Sequence, residues 1–409
     1  MKRLVALVVL LAAACAPLPT ASQSSPTTQS QASSAEATSH TAGTSPVPTG
    51  AAGGGSGAGQ PSPAAVPSPA ASKGSEFAVL VDLFAATGSY DITIVGADAK
   101  VVARAHAAKR TVIADAAELP YVSTSNSRVY YLDGDSQVRF LTAQGATGLV
   151  TSVAGDATVH ATFAVTPDDQ RIAVALLDYG VSPVQLKLYV EDLGGAHHAE
   201  IFTSNSHYVW PVGWHSGQLV VGYLGPGSAP FNSKMVTYSS RDKSLYPYGP
   251  NPYGVINFHV IDPVTAERKA IISGGGASGL LSKAGAAIVQ GGMVDWNGAY
   301  GWNFPNGYGS YSAAASLSPD GQMIAACCEQ PESSGHLVIW YPNLSSTVLP
   351  ATLTSGDWAG WFDSHRLITG FSQRTDGTPT VVDINTGWVM AADAHGIVAA
   401  MLPGGLDPQ

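Results

Sequence analysis

One phrase occurs twice in this chain, and its spacing narrows the folds open to it. Phe163-Ala-Val-Thr-Pro-Asp-Asp-Gln-Arg-Ile-Ala-Val-Ala175 matches Ala315-Ser-Leu-Ser-Pro-Asp-Gly-Gln-Met-Ile-Ala-Ala-Cys327. Each copy reads as strand, turn, strand. Pro presets φ for the first turn position, and Asp or Gly suits the positions after it. The second copy starts 152 residues after the first, from Phe163 to Ala315. That distance is three units of about 50 residues, a period typical of repeat architectures.

Weaker copies fill the intervals. They are Val212–Val221 with a turn at His215-Ser-Gly, Leu281–Gln290 with Lys283-Ala-Gly, and Gly360–Gly370 with Asp363-Ser-His. A polar loop and two more strands follow each. Short apolar runs mark the strands: Phe77–Leu83, Arg128–Leu132, Gln185–Val190, Gln218–Leu224, Val255–Ile261 and Leu337–Trp340. No long stretch carries the 3.6-residue period of a helix. The 45 Gly and 27 Pro in 409 residues also disfavour helices. The reading is an all-β chain of four-stranded antiparallel units, each about 40–60 residues long.

Ser318-Pro-Asp-Gly-Gln-Met-Ile-Ala and Thr166-Pro-Asp-Asp-Gln-Arg-Ile-Ala resemble the repeat of TolB-like and WD-repeat-like bacterial propellers. Tyr130-Tyr-Leu-Asp-Gly-Asp-Ser-Gln-Val-Arg139 resembles the next strand pair of that family. The resemblance implies a β-propeller. Its motif specifies a turn and brings no catalytic residue with it. The two ends of the region complement each other. His395–Gly405 has the shape of a first strand with its turn, and Glu76–Leu83 that of a second strand lacking a first. Joined, they predict a seven-bladed ring closed by the C-terminal strand. Six blades is the alternative, because 273–311 is irregular.

The first residues read as an address. Met1-Lys2-Arg3 is basic, Leu4–Ala14 is apolar or small, and Cys15 follows three alanines. Eleven such residues would rise only about 16 Å as a helix, against a bilayer core of roughly 30 Å. These are the parts of a secretory signal. Cys15 after the small residues resembles the lipobox of bacterial lipoproteins, with Ala12 in place of the preferred Leu. The resemblance implies a signal over 1–14 and a diacylated Cys15, with lipid as the only membrane attachment and an extracytoplasmic location on the cell membrane. Residues 15–75, past that Cys, are almost all Ser, Thr, Pro, Ala or Gly. Such a composition cannot offset ordering entropy, so a disordered tether is expected before a folded domain over 76–409.

The full chain carries 19 Lys+Arg against 29 Asp+Glu, a formal charge of −10. Lys2, Arg3, Lys73 and Glu36 lie before residue 76, so the folded region keeps 16 and 28, or −12. This acidity argues against nucleic acid as a partner. Three cysteines exclude a disulfide scaffold. Cys327-Cys328 would point to opposite faces of a strand, and His197-His198 lacks a matching third ligand. Ser240-Arg-Asp-Lys243 matches S-x-x-K without the rest of the penicillin-interacting pattern. No metal or cofactor is expected.

Two sets of residues remain as a candidate ligand face. Polar groups recur where second strands run out, among them Asp82, Asp133, Asp135, Asp178, Glu329 and Gln373. The best placed are Asp133, Asp178 and Glu329. They shape turns or form an acidic rim for a cationic ligand. Two long insertions, Pro226–Gly254 and Trp296–Tyr311, are expected on the same rim. Trp296, Tyr300, Trp302 and Tyr308 in the second either stack on a ligand or cover an irregular fifth blade. The expected function is a monomeric, non-catalytic platform that binds an envelope protein, a peptide or a cell-wall glycan. The alternative is a glycan hydrolase or lyase, which would need two of those carboxylates within about 5–10 Å.

Overall fold

A computed structural model describes residues 77–406, except 87, 114–115, 117–118, 225–256, 273–280, 289–291, 303–314, 328–335, 353–357 and 371–377. Cys15, the tether, Ser240, Tyr308, Cys328, Glu329 and Gln373 lie outside the described residues, as do Pro226–Gly254 and most of the second insertion. Among the described residues every regular element is a strand.

Six four-stranded antiparallel sheets and one of two strands make up the fold. The second contains β4 (Val122–Thr124), β5 (Val129–Asp133), β6 (Gln137–Leu141) and β7 (Thr147–Ser152). The third contains β8 (Val159–Val165), β9 (Arg171–Asp178), β10 (Gln185–Asp192) and β11 (Ala199–Ser204). The fourth contains β12 (Val209–His215), β13 (Gln218–Tyr223), β14 (Asn257–Ile261) and β15 (Arg268–Ile271). The sixth contains β18 (Ala315–Leu317), β19 (Ile324–Cys327), β20 (His336–Trp340) and β21 (Ser346–Thr352). The seventh contains β22 (Trp358–Trp361), β23 (Arg366–Gly370), β24 (Thr380–Asp383) and β25 (Trp388–Ala391).

The fifth sheet is the short one. Its strands are β16 (Ala286–Ile288) and β17 (Gly292–Val294). Single bridges extend it on both sides, Ser282 to Gly285 and Val294 to Tyr300. Its chain path therefore still makes four passes. The first sheet joins distant sequence: β26 (Ile397–Leu402) pairs with β1 (Phe77–Ala86), followed by β2 (Ser89–Gly96) and β3 (Val101–Ala108). Phe77 lies opposite Leu402 and Val81 opposite Ile397.

Middle strands are buried on both faces, which suits runs such as Ile172-Ala-Val-Ala175. Trp210, Trp214, Tyr90, Tyr130 and Phe258 are the largest fully buried side chains. The repeated phrase forms the same turn twice. Thr166 N–H donates to Arg171 O at 2.8 Å, and Ser318 N–H donates to Met323 O at 2.8 Å. Thr166 Oγ1 accepts Arg171 N–H at 2.9 Å, and Ser318 Oγ accepts Met323 N–H at 2.9 Å. The left-handed position is Asp169 (φ 61°) in one copy and Gly321 (φ 72°) in the other.

Candidate functional site

The first strands of the sheets meet around a cavity of about 100 Å³. It is lined by Val122 and Thr124 of β4, Phe163 of β8, Val212 of β12, Leu317 of β18, Trp361 of β22 and Met401 of β26, with Leu281–Lys283 ahead of β16. Lys283 is the one ionisable side chain among the described lining residues. This wall is apolar and backbone-rich, suited to enclosing a group rather than transferring a proton to it.

At the turn end of the cavity the chain crosses over itself. After β26, Pro403–Leu406 runs past the hairpin turns of the second and third sheets to the fourth. Gly404 N–H donates to Ser125 O at 2.8 Å, and Leu406 N–H to Trp214 O at 3.3 Å. His215 Nδ1 meets Leu406 O at 3.1 Å. A methyl group at Gly404 would overlap Thr124 Oγ1, so glycine is required for this close crossing. Leu406 is buried in the core it shares with Trp214.

Tryptophans stitch neighbouring sheets together at this end. Trp214 Nε1–H donates to Ala164 O at 3.1 Å, and Trp361 Nε1–H donates to Ser316 O at 3.1 Å. Ala164 and Ser316 hold the same place in the repeated phrase. Trp214 and Trp361 each follow a glycine near the end of a first strand, Gly213 and Gly360. This Gly-Trp pair is a second repeated signal, which the Pro-Asp turn overshadows in the sequence.

Trp296 and Trp302 belong to the same end. The Trp296 indole is 9% exposed, stacks on His215 at 4.3 Å and 10°, and donates to Lys283 O at 2.9 Å. Trp302 is half-buried and donates to Gly321 O at 3.2 Å, the turn of the next sheet. Tyr300 is 60% exposed. Trp296 sits in a hairpin between the third and fourth passes of the fifth sheet, and such hairpins share an end with the Pro-Asp turns. For the described part of the insertion, Trp296–Trp302, the expectation of a rim shared with Asp133 and Asp178 therefore needs correcting.

Asp133, Asp135 and Asp178 lie at the opposite end. Asp133 accepts Ala108 N–H at 2.8 Å and pairs with Arg139 at 3.7 Å. Asp135 accepts Thr111 N–H at 2.6 Å and Thr111 Oγ1–H at 2.8 Å. Asp178 accepts Gly180 N–H at 2.8 Å. Asp133 and Asp135 thus secure the crossover between β3 and β4, and Asp178 its own loop. His160 borders the same crossover, its Nε2 at 3.0 Å from Thr111 O. Burial, helped by the Arg110 charge, pushes its pKa down to about 4.

The paired histidines have separate partners: His197 lies 2.5 Å from Asp192 and His198 2.8 Å from Glu191. Among the described residues no three His, Cys, Asp or Glu side chains gather as metal ligands.

No known protein-family profile matches this sequence, and no curated protein matches it. Solved structures do. TolB from Acinetobacter baumannii is 12% identical with a TM-score of 0.39, and the match covers 82% of this chain and 67% of that one. The β-propeller domain of the Trilobed protease from Pyrococcus furiosus is 11% identical with a TM-score of 0.43, covering 79% and 94%. An oligogalacturonate lyase in complex with manganese is 11% identical with a TM-score of 0.34, covering 78% and 85%. The fold reading rests on the sheet topology above.

Proposed function

We propose that this chain is an exported lipoprotein whose propeller is a non-catalytic binding platform in the cell envelope. Residues 1–14 are its signal, Cys15 carries lipid, and the tether that follows holds the 76–409 domain away from the membrane. The seven sheets are seven blades, and β26 closes the ring by completing the first. The partner is an envelope protein, a peptide or a cell-wall glycan.

The observation that carries the non-catalytic reading is the cavity wall. Its described residues include no carboxylate, histidine or cysteine. Asp133 and Asp178, the described candidates for an acid–base pair, instead hold the backbone N–H groups of Ala108 at the end of β3 and of Gly180 in a separate loop. A hydrolase needs two carboxylates converging on one bond.

Two measurements test the reading. Cys15→Ser is expected to move the protein from membranes to the soluble fraction, and continued membrane retention overturns the lipid anchor. Incubation with purified cell-wall glycan is expected to give, at most, binding without new reducing ends. Release of reducing ends that Asp178→Asn abolishes overturns the platform in favour of the enzyme.

A further inference from the structure

The cavity enclosed by the first strands has a size and a charge, and together they define what it can hold. Its space is about 100 Å³. An apolar cavity of roughly 150 Å³ takes benzene, so this one accommodates an apolar group of about four carbons. A sugar ring is too large. Phe163, Val212, Leu317 and Trp361 supply apolar walls. Val212 sits at the irregularity of β12, where Pro211 lies opposite Val221 and Gly213 opposite Val220, so it has no partner in the ladder.

Lys283 brings the single charge among the described lining residues. Its backbone is fixed from three sides. Ser282 and Gly285 close a two-residue turn around it, each N–H donating to the other's carbonyl, at 2.8 and 3.0 Å. Ser282 Oγ–H donates to Ser318 O at 2.9 Å and ties that turn to the sixth sheet. Trp296, stacked on His215, donates its indole N–H to Lys283 O at 2.9 Å. Lys283 is half-buried, so solvent screens its charge less than on an open surface. An ammonium has three N–H donors and can meet a ligand oxygen beside the contact it already keeps. Ser123 adds a hydroxyl to the wall. Its Oγ accepts Val165 N–H at 3.0 Å, which leaves its own proton for a second oxygen.

We propose that this cavity is a binding site for a short branched carboxylate, whose apolar end enters between the first strands and whose carboxylate pairs with Lys283. The charge selects against amines, and the volume selects against glycans and aromatic acids. Such a carboxylate occurs as a free acid, isovalerate for example, and as the C-terminal valine of a peptide. Both present the same chemistry to the cavity. The site goes beyond the platform reading: it lies inside the fold, and it needs neither export nor lipid.

Ligand-detected NMR titration of full-length Cys15→Ser protein tests it. The formal charge of −12 on the folded region opposes anions at long range. Titration in about 0.15 M salt screens that repulsion beyond about 8 Å. Isovalerate is expected to bind at least about tenfold more tightly than its uncharged amide, the difference that a charge-assisted hydrogen bond supplies. Lys283→Met is expected to remove that preference while leaving the amide's affinity unchanged. Val212→Phe fills the cavity and is expected to abolish binding of both. Lys283→Met changes a half-buried turn residue and keeps the parent's melting temperature, so it decides the question even where Val212→Phe unfolds the protein. N-acetylvaline separates the two sources: tighter binding than isovalerate supports a peptide end, and weaker binding supports the free acid. Failure of both acids to bind overturns the proposal. So does equal binding of acid and amide by the parent, and so does a preference for the acid that Lys283→Met leaves intact.

Discussion

The third and fourth sheets and the sixth and seventh sheets are two versions of one arrangement. In each pair a Thr/Ser-Pro-Asp turn leads into a strand, and a tryptophan from the next sheet donates to the same backbone carbonyl. What differs is the filling. In the first pair Arg171 lies over the Trp214 ring at 5.2 Å, and Asp169 reaches the second sheet through Ser127 Oγ and Tyr130 OH, both at 2.8 Å. In the second pair Met323 takes the place of Arg171, and Gly321 takes the place of Asp169. Gly321 then leaves its carbonyl to Trp302. The bond between sheets is common to both. The contacts beyond it are local solutions that each neighbour dictates.

The largest expected effect comes from the shared bond. Trp214→Ala and Trp361→Ala each remove a buried ring and its hydrogen bond to the neighbouring sheet, and each should cost about 3–5 kcal/mol in chemical denaturation. Trp→Phe at either place keeps much of the packing and should cost about 1–2 kcal/mol. A small loss at one tryptophan beside a large loss at the other breaks the equivalence.

Trp302→Ala should lower the unfolding midpoint, at a cost in stability of about 2 kcal/mol or more, because its indole fills the junction between the fifth and sixth sheets. An unchanged midpoint with lost ligand binding would return Trp302 to the role of a rim contact.

The left-handed turn position sharpens the contrast further. Gly321→Ala forces a side chain into φ 72° and against Ala284 and Met293 at 3.1 Å, for about 1–2 kcal/mol. Asp169→Gly relaxes the backbone but removes two hydrogen bonds, for a net loss of about 1 kcal/mol.

Titration gives the smallest effects. Burial, reinforced by the Asp169 carboxylate, raises the Tyr130 pKa above its ordinary value of 10.0. The folded state therefore holds this proton more tightly than the unfolded state. The stability it contributes is complete below that pH and falls as pH rises above it. Asp169→Asn should soften the alkaline loss. His160 has the opposite sign: its pKa is lowered from 6.5 to about 4. Its contribution is complete above the upper value and is lost as pH falls toward the lower. His160→Phe should flatten the acid limb of a pH–stability curve.

Much of this was legible in the sequence. The strand rhythm and the repeated phrase are enough to predict four-stranded antiparallel units, because both depend on local turn chemistry and alternation. The placement of Trp296 was not legible. An aromatic beside Asn and Gly reads equally as a ligand platform or as a hairpin anchor, and only His215, which lies in another sheet, decides which. The carboxylates posed the same problem. Asp133 and Asp135 look like a rim until the backbone N–H groups of Ala108 and Thr111 are seen to occupy them.

Strand β1 gains one neighbour, β2, almost at once during synthesis, whereas the other, β26, is made only after the strands of all six other sheets. While the ribosome adds everything between them, the apolar run Ala78-Val-Leu-Val81 has an open edge with no native strand to cover it. Non-local pairing of this kind slows folding and lengthens exposure to wrong partners. The order of manufacture therefore places this protein's greatest risk of aggregation in the interval before Ile397–Leu402 emerges. Expression yield should depend more on holding chaperones during that interval than on the stability of the finished fold.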